Sequence, residues 1–444
     1  MHDALRRRLR ELGVVRGMRE LTSPSPRRRV AIENLTAGYF HTTSHGQCFV
    51  AEETYPLNHV HGDMPLSSFL ALSPENVAQI AQDQTLAGVD LKRACFLDTE
   101  TTGLSGGAGT MAFVVGLGFF ADATDAAAES FRVQQYFLRD PGDEPAMLEA
   151  LAERLPEFKA LVSFNGRSFD VPIIENRFIL ARTPAPTAGM PHLDLLHPAR
   201  RLWRYHLPAR TLGALERHVL GVLREQDDVP GGVIPYLYRD YLRTGDGRDM
   251  KRVLYHNAID ILSLVTLAVR ICRTFADPWN ETGRERSENL SGAEFYGLGR
   301  WYAAESKLTD AERAYRTAFR PFDEERNQVL RKKPGFDLTP DLRARVLRDL
   351  AYLLKRADRR AEAFAYWQQL ALEATDSILA HVELAKYFEW HVEDLPLATR
   401  WTRAALAQVE HWPAGMYRDD VLAELHYRLA RLERKMKKPQ NHAE

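Results

Sequence analysis

The chain has 444 residues, of which 45% are hydrophobic and 27% are charged, as in an ordinary soluble protein of two or three domains. Its 59 Lys and Arg residues nearly balance 60 Asp and Glu residues, so the net charge of -1 does not by itself indicate a nucleic-acid-binding protein. Three cysteines without paired spacing exclude a disulfide framework and a cysteine zinc site.

No apolar stretch approaches the roughly 20 residues that span a bilayer, and no signal-peptide core follows the Arg-rich start. We therefore expect a cytoplasmic protein with no membrane segment.

The first 90 residues divide into two predicted parts. Residues 1–29 are a basic, flexible segment, and residues 30–90 are a small lead-in module packed on the core. Within this module we predict strands over 46–51 and 55–57 and a capped helix over 73–82. Four histidines lie in the module without a cysteine partner or a shared helical spacing, so a metal site is not predicted from them: His41, His45, His59 and His61.

Two carboxylates end an apolar run that predicts a buried strand. Asp98 and Glu100 lie two positions apart, and alternate residues of a strand point to the same face. The pair is therefore aimed at one spot beyond the strand. Divalent cations such as Mg²⁺ or Mn²⁺ prefer carboxylate oxygens, which makes this pair a candidate half of a metal site.

A second apolar strand runs from Leu161 into an Asn165-Gly166 turn and then into a helix that begins near Asp170. At this place an Asp is either a helix N-cap or a metal ligand. Asn165 either forms the turn or orients a nucleic-acid backbone.

The fourth carboxylate, Asp260, lies within a long helix predicted over residues 250–272. Residues four apart share one face of a helix, so His256 and Asp260 point the same way. Apolar neighbours of Asp260 argue against an ordinary surface ion pair.

In order and context, these three elements resemble the three motifs of the DEDD superfamily of RNase-H-like 3′ to 5′ exonucleases, over about residues 94–273. A closer resemblance is to the bacterial YprB-like RNase-H-like family. That resemblance rests on four further segments: His192-Leu193-Asp194-Leu195-Leu196, Thr211-Leu212-Gly213-Ala214-Leu215-Glu216, Asp228-Val229-Pro230-Gly231, and His256-Asn257 with Asp260-Ile261.

The resemblance implies an α/β RNase-H-like core at residues 91–275, with a mixed five-stranded sheet flanked by helices. It also implies a metal-dependent exonuclease that hydrolyses phosphodiester bonds of single-stranded DNA or RNA with two Mg²⁺ or Mn²⁺ ions. The expected metal ligands are Asp98, Glu100, Asp170 and Asp260. The expected substrate contacts are Thr101, Thr102 and Asn165.

The residues at the general-base positions differ from those of both subtypes of the superfamily. One subtype places a His five residues before the last Asp, and the other places a Tyr four residues before it. Here Tyr255 and His256 hold those positions in exchanged order. A His pKa near roughly 6.5 suits proton transfer at neutral pH better than a Tyr pKa near about 10. We therefore predict His256 as the base, with a purely hydrogen-bonding His as the alternative.

Beyond the core, residues 290–436 show only helical patterns, followed by a tail at 437–444. Small and large apolar residues recur in helix pairs, and the step from Leu350 to Leu384 is 34 residues, the tetratricopeptide period. A charged insertion at 320–343 interrupts the pattern. An all-α tetratricopeptide-like domain of this kind binds a protein partner or buttresses the core.

Two other functions compete with the exonuclease. One is a catalytically weak or inactive RNase-H-like scaffold that binds nucleic acid and recruits a partner through its helical repeats. The other is an endonuclease of RNase H type, because a fold does not by itself decide chemistry. The sequence leaves open the choice of DNA or RNA, the polarity, the partner and the oligomeric state.

Overall fold

The computed structural model describes residues 29–103, 109–123, 128–224, 228–279, 290–319, 339–374 and 377–437. The predicted N-terminal basic segment, the centre of the glycine-rich loop after Gly103, most of the charged insertion and the tail lie outside the described residues.

The described chain forms two compact units. The first contains the described residues up to Asp194 together with Leu220–Ala268, and the second contains Leu195–Val219 and the residues from Val269 onward.

The first unit contains nine strands in its described residues: β1 Gly38–Thr43, β2 Gly46–Pro56, β3 Val60–His61, β4 Met64–Pro65, β5 Ala94–Thr101, β6 Ala112–Ala121, β7 Ser130–Phe137, β8 Ala160–Ser163 and β9 His192–Asp194. Seven of them form one mixed sheet in the order β1-β2-β7-β6-β5-β8-β9. β8 and β9 run parallel to β5, and the other neighbouring strands are antiparallel. β3 and β4 form a separate short ladder.

Strands β5 to β9 form the mixed five-stranded sheet that the family resemblance implies, so the predicted α/β core is confirmed. The sheet is larger than predicted because β1 and β2 of the lead-in segment add to its β7 edge. The two predicted strands at 46–51 and 55–57 are one continuous strand, since β2 pairs with β7 from Phe49 to Pro56. This pairing satisfies the backbone groups of an otherwise open edge.

Helices cover both faces of this sheet. Their bounds in the first unit are α1 Pro74–Ala81, α2 Glu144–Arg154, α3 Asp170–Leu180, α6 Ile234–Thr244 and the first part of α7 Arg248–Ala276. Ser73 caps α1 by accepting a hydrogen bond from the backbone N–H of Asn76, as predicted. α7 lies close to β6, where a Cβ on Gly118 would stand 2.3 Å from Ile261 Cγ2. A glycine is therefore required at this crossing.

The second unit is helical throughout its described residues. Its helices are α4 Leu196–Trp203, α5 Leu212–Leu215, the end of α7, α8 Gly292–Ala304, α9 Leu308–Ala318, α10 Pro340–Arg356, α11 Arg360–Glu373, α12 Ile378–Tyr387, α13 Leu395–Glu410 and α14 Met416–Lys437. Ser291 and Glu294 form a capping box at the start of α8. Leu350 and Leu384, one predicted repeat apart, are both fully buried.

The boundary between the units differs from the one predicted at residue 275. Residues 195–219 belong with the helical unit, because α4 packs on α8 and the Trp203 indole donates a hydrogen bond to Glu294 at 2.8 Å. Side-chain contacts between segments distant in sequence set this boundary, and no local pattern announces them.

None of the helices in the described ranges has the length and apolar character needed to cross a membrane.

Replacing Leu350 by Ala should lower the free energy of unfolding of the helical unit by about 2–5 kcal/mol, because the side chain is fully buried and its loss leaves a cavity. Leu372 is 85% exposed on the neighbouring helix α11, so Leu372→Ala should stay within about 0.5 kcal/mol of the wild type. Urea titration of the full chain measures both. Equal effects of the two substitutions would contradict the packing described for α10.

Candidate metal centre

The centre begins at the end of β5. Asp98 and Glu100 lie on the same face of the strand, since Thr99 separates them, and the β5–β6 register shifts directly after Glu100. Such a bulge bends a strand and changes the direction of the side chains beside it. The predicted carboxylate pair therefore sits where the regular ladder of β5 stops.

Helix α7 supplies the second group of side chains. One oxygen or nitrogen each of Glu100, His256 and Asp260 lie within 4.8 Å of one another, close enough to hold a metal ion. His256 Nε2 is 3.7 Å from Asp260 Oδ2, as the four-residue spacing on a helix predicts. Asp98 and Asp170 lie outside this group of three, although their charges act on it.

His256 is oriented by a residue for which the sequence suggested no role. Its Nδ1 lies 2.7 Å from Asp228 Oδ1 and 2.9 Å from an Arg224 guanidinium nitrogen. A carboxylate only accepts and a guanidinium only donates, so Nδ1 carries the proton when it bonds to Asp228 and is unprotonated when it bonds to Arg224. The bond to Asp228 leaves Nε2, which lies 3.7 Å from Asp260 Oδ2, as the unprotonated ring nitrogen. The quoted Asp228-Val229-Pro230-Gly231 segment marked this position without indicating its contact.

Arg224 compensates part of the negative charge. Its guanidinium forms an ion pair with Asp260 and lies 3.4 Å from Asp228 Oδ2. The Arg224 side chain is 15% exposed, so these contacts lie in partly buried surroundings. The sequence did not predict Arg224 as a site residue.

Asp170 is the first residue of α3, and it is 5% exposed. Its Oδ1 accepts a hydrogen bond from the Thr99 hydroxyl, which projects from β5 on the face opposite Asp98 and Glu100. Asp170 therefore holds the start of α3 to the end of β5. The N-cap position itself belongs to Phe169, and that residue makes no side-chain cap.

The surroundings of the carboxylates at the centre disfavour their charged forms. Burial raises the pKa of Asp98 well above its usual range, and the charges of Asp260, Asp170 and Glu100 raise it further. Burial likewise raises the pKa of Glu100, with added repulsion from Asp260 and Asp170. Burial raises the pKa of Asp170 to about 6, against the opposing effect of the Thr99 hydrogen bond.

The three predicted substrate-contact residues form hydrogen bonds that stabilise the loops in which they lie. The Thr101 hydroxyl donates to the carbonyl of Gly103 at 2.7 Å, and the Thr102 hydroxyl accepts from the N–H of Met111 at 3.1 Å. Asn165 adopts the left-handed conformation, with φ of 70°, and its N–H donates to Asp194 Oδ1 at 2.8 Å. Asn165 is thus a turn residue held by Asp194. Contact of these residues with substrate stays a prediction.

The four lead-in histidines have separate partners. His41 pairs with Glu153, His45 pairs with Glu149, His61 bonds to Ser263, and His59 packs on Tyr55.

The donor set fits a hard divalent cation. Carboxylate oxygens, which Asp98, Glu100 and Asp260 provide, are the ligands that Mg²⁺ and Mn²⁺ prefer. A cation would also remove the penalty that burial and mutual repulsion impose on the charged carboxylates.

Comparison with known proteins agrees with this architecture. A family model of the RNase H superfamily matches residues 95–272, which contain every carboxylate of the centre. The chain is also 30% identical over 396 residues to the uncharacterized protein YprB of Bacillus subtilis (strain 168), covering 87% of this chain and 86% of that protein. The chain therefore belongs to the YprB-like family of RNase-H-like proteins.

Proposed function

We propose that this protein is a metal-dependent exonuclease that hydrolyses single-stranded nucleic acid from a 3′ end. The observation that supports the proposal best is the convergence of Glu100, Asp260 and His256 within 4.8 Å, beside Asp98 and Asp170. Such a group would offer oxygen ligands and a base in partly buried surroundings.

Asp98, Glu100, Asp170 and Asp260 would hold two Mg²⁺ or Mn²⁺ ions, with Asp98 and Glu100 presented by one strand face. When bound, these ions supply activation of water and stabilisation of the leaving 3′ oxygen. His256 would take the proton from the attacking water on Nε2. The water oxygen would bond to phosphorus as the P–O3′ bond breaks, solvent would protonate the 3′ oxygen, and the product would be a nucleoside 5′-monophosphate.

His256 suits this role better than Tyr255. The His256 side chain is 14% exposed and is held between Asp228 and Asp260, which fixes its ring at the centre. Tyr255 lies near enough to Tyr55 of strand β2 for its charge to raise the pKa of that residue. Adjacent helical residues such as 255 and 256 project about 100° apart around the helix axis.

The helical unit would serve recognition. Its 34-residue step and buried small and large residues are typical of tetratricopeptide-like pairs, which bind a protein along one surface. We propose that it recruits a protein partner or positions the strand.

The proposal is tested with single-stranded DNA and RNA labelled at the 5′ or the 3′ end, in Mg²⁺ or Mn²⁺, with EDTA as the metal-free control. Stepwise shortening of the 5′-labelled strand and early release of the 3′ label as a mononucleotide are expected. Cleavage of a circular single strand would instead indicate an endonuclease. The DNA and RNA arms decide the substrate class, which depends on contact with the 2′-hydroxyl.

Glu100→Gln should raise the free energy of unfolding of the metal-free protein, because it removes a desolvated charge that Asp260 and Asp170 repel. The same substitution should reduce stabilisation by Mn²⁺, which for the wild type is about 2.7 kcal/mol at 100 times Kd. Thermal melts with and without Mn²⁺ measure both effects. Glu153→Gln, at an exposed pair with His41, is the matched control.

His256→Ala should lower kcat by about 100- to 10,000-fold, the usual contribution of a general base, while Mn²⁺ still binds the carboxylates. Tyr255→Phe is the matched control on the adjacent residue and should retain activity. Single-turnover rates on the better substrate decide between them. The opposite pattern would assign the base to Tyr255.

A catalytically inactive scaffold is the second candidate. The ion pair between Arg224 and Asp260 favours it, because an internal cation already compensates one carboxylate of the centre. A wild-type protein that neither binds Mn²⁺ nor cleaves either substrate would support the scaffold.

A further inference from the structure

A row of three residues crosses the sheet at the candidate centre. Asp98 of β5 pairs with Gly116 of β6, and Gly116 pairs with Gln135 of β7. Paired residues in adjacent strands project on the same face. Because the middle residue has no side chain, a gap separates the Asp98 carboxylate from the Gln135 amide.

Asn257 of helix α7 fills this gap. Its Nδ2 donates to Asp98 Oδ2 at 2.7 Å, and its Oδ1 accepts from Gln135 Nε2 at 2.8 Å. Asn257 is fully buried and Gln135 is 2% exposed. We call these two side chains the amide relay.

The contacts fix which end of each amide faces which partner. Gln135 Nε2 also donates to the backbone carbonyl of Leu254 at 2.7 Å, and a carbonyl can only accept. The NH₂ end of Gln135 must therefore face α7, which requires the Asn257 oxygen to face Gln135. The NH₂ group of Asn257 is then directed at Asp98, where a charged carboxylate is its best acceptor.

We propose, resting on the metal-dependent function proposed above, that Asn257 and Gln135 are positioning residues for the metal centre. The relay commits Asp98 Oδ2 to Asn257 and leaves Oδ1 for a cation. It also ties β5 to α7 three residues before Asp260, so it sets the spacing between the strand ligands and the helix ligand.

Gly116 leaves the space that the amide relay occupies. A Cβ at this position would stand 2.2 Å from Asn257 Oδ1 and 2.6 Å from Ile261 Cδ1. Gly116→Ala would thus displace the relay. Gly118 provides a matched control on the same strand and face, since its Cβ would meet Ile261 and Phe131 instead of Asn257. Gly118→Ala disturbs the helix–sheet contact without touching the amides.

The relay is tested by Mn²⁺ titration of the full-length protein, followed by electron paramagnetic resonance. Asn257→Leu keeps the side-chain size and removes the donor, so Mn²⁺ affinity should fall by about 10- to 100-fold, the usual effect of removing a partner of a metal ligand. Gln135→Leu should cause a smaller loss. Gln134→Leu, which changes the adjacent glutamine bonded to Glu52, should cause none.

Gly116→Ala should weaken Mn²⁺ binding more than Gly118→Ala, and melting curves identify any variant that fails to fold. If Asn257→Leu folds and binds Mn²⁺ with wild-type affinity and spectrum, the relay is overturned and the proposed function stands. If the wild type binds no Mn²⁺, both proposals are overturned. A fall in kcat at constant KM for Gln135→Leu would further support a positioning role.

Discussion

Burial of like charge is the constraint on which the first unit depends. Burial raises the pKa of Asp98, Glu100 and Asp170, and the charge of Asp170 raises the pKa of the other two further. Such a group is costly unless hydrogen bonds or cations compensate it. The structure provides a hydrogen bond from Asn257 to Asp98, one from Thr99 to Asp170, and the Arg224 guanidinium at Asp260.

Helix α7 packs against the sheet and also carries residues of the candidate metal centre. Three residues of the centre lie within one turn and a half of this helix. They are His256, which bonds to Asp228, the buried amide Asn257 and the carboxylate Asp260. The helix can approach the sheet closely because Gly116 and Gly118 present no side chains. A side chain at Gly116 would therefore displace Asn257 and Ile261, which flank the helix ligands of the centre.

The helical unit is stabilised in a different way from the first unit. Each helix buries small and large apolar residues against its neighbours, such as Gly299 against the Tyr315 ring. The described residues of this unit contain no group of three His, Cys, Asp or Glu side chains close enough to hold a metal ion. Its stability comes from local helix contacts.

The sequence by itself determined the helical C-terminal region and the strand and helices that carry the carboxylates, because period-2 and period-3.6 patterns are local, and the family resemblance of its motifs implied the α/β core. It also favoured His256 over Tyr255, since the helical spacing to Asp260 is fixed. Only the tertiary structure decided that β1 and β2 extend the sheet, that residues 195–219 join the helical unit, and that Asp228, Arg224, Asn257 and Gln135 surround the centre. Those contacts join residues up to 159 positions apart, and strand register and helix packing place them.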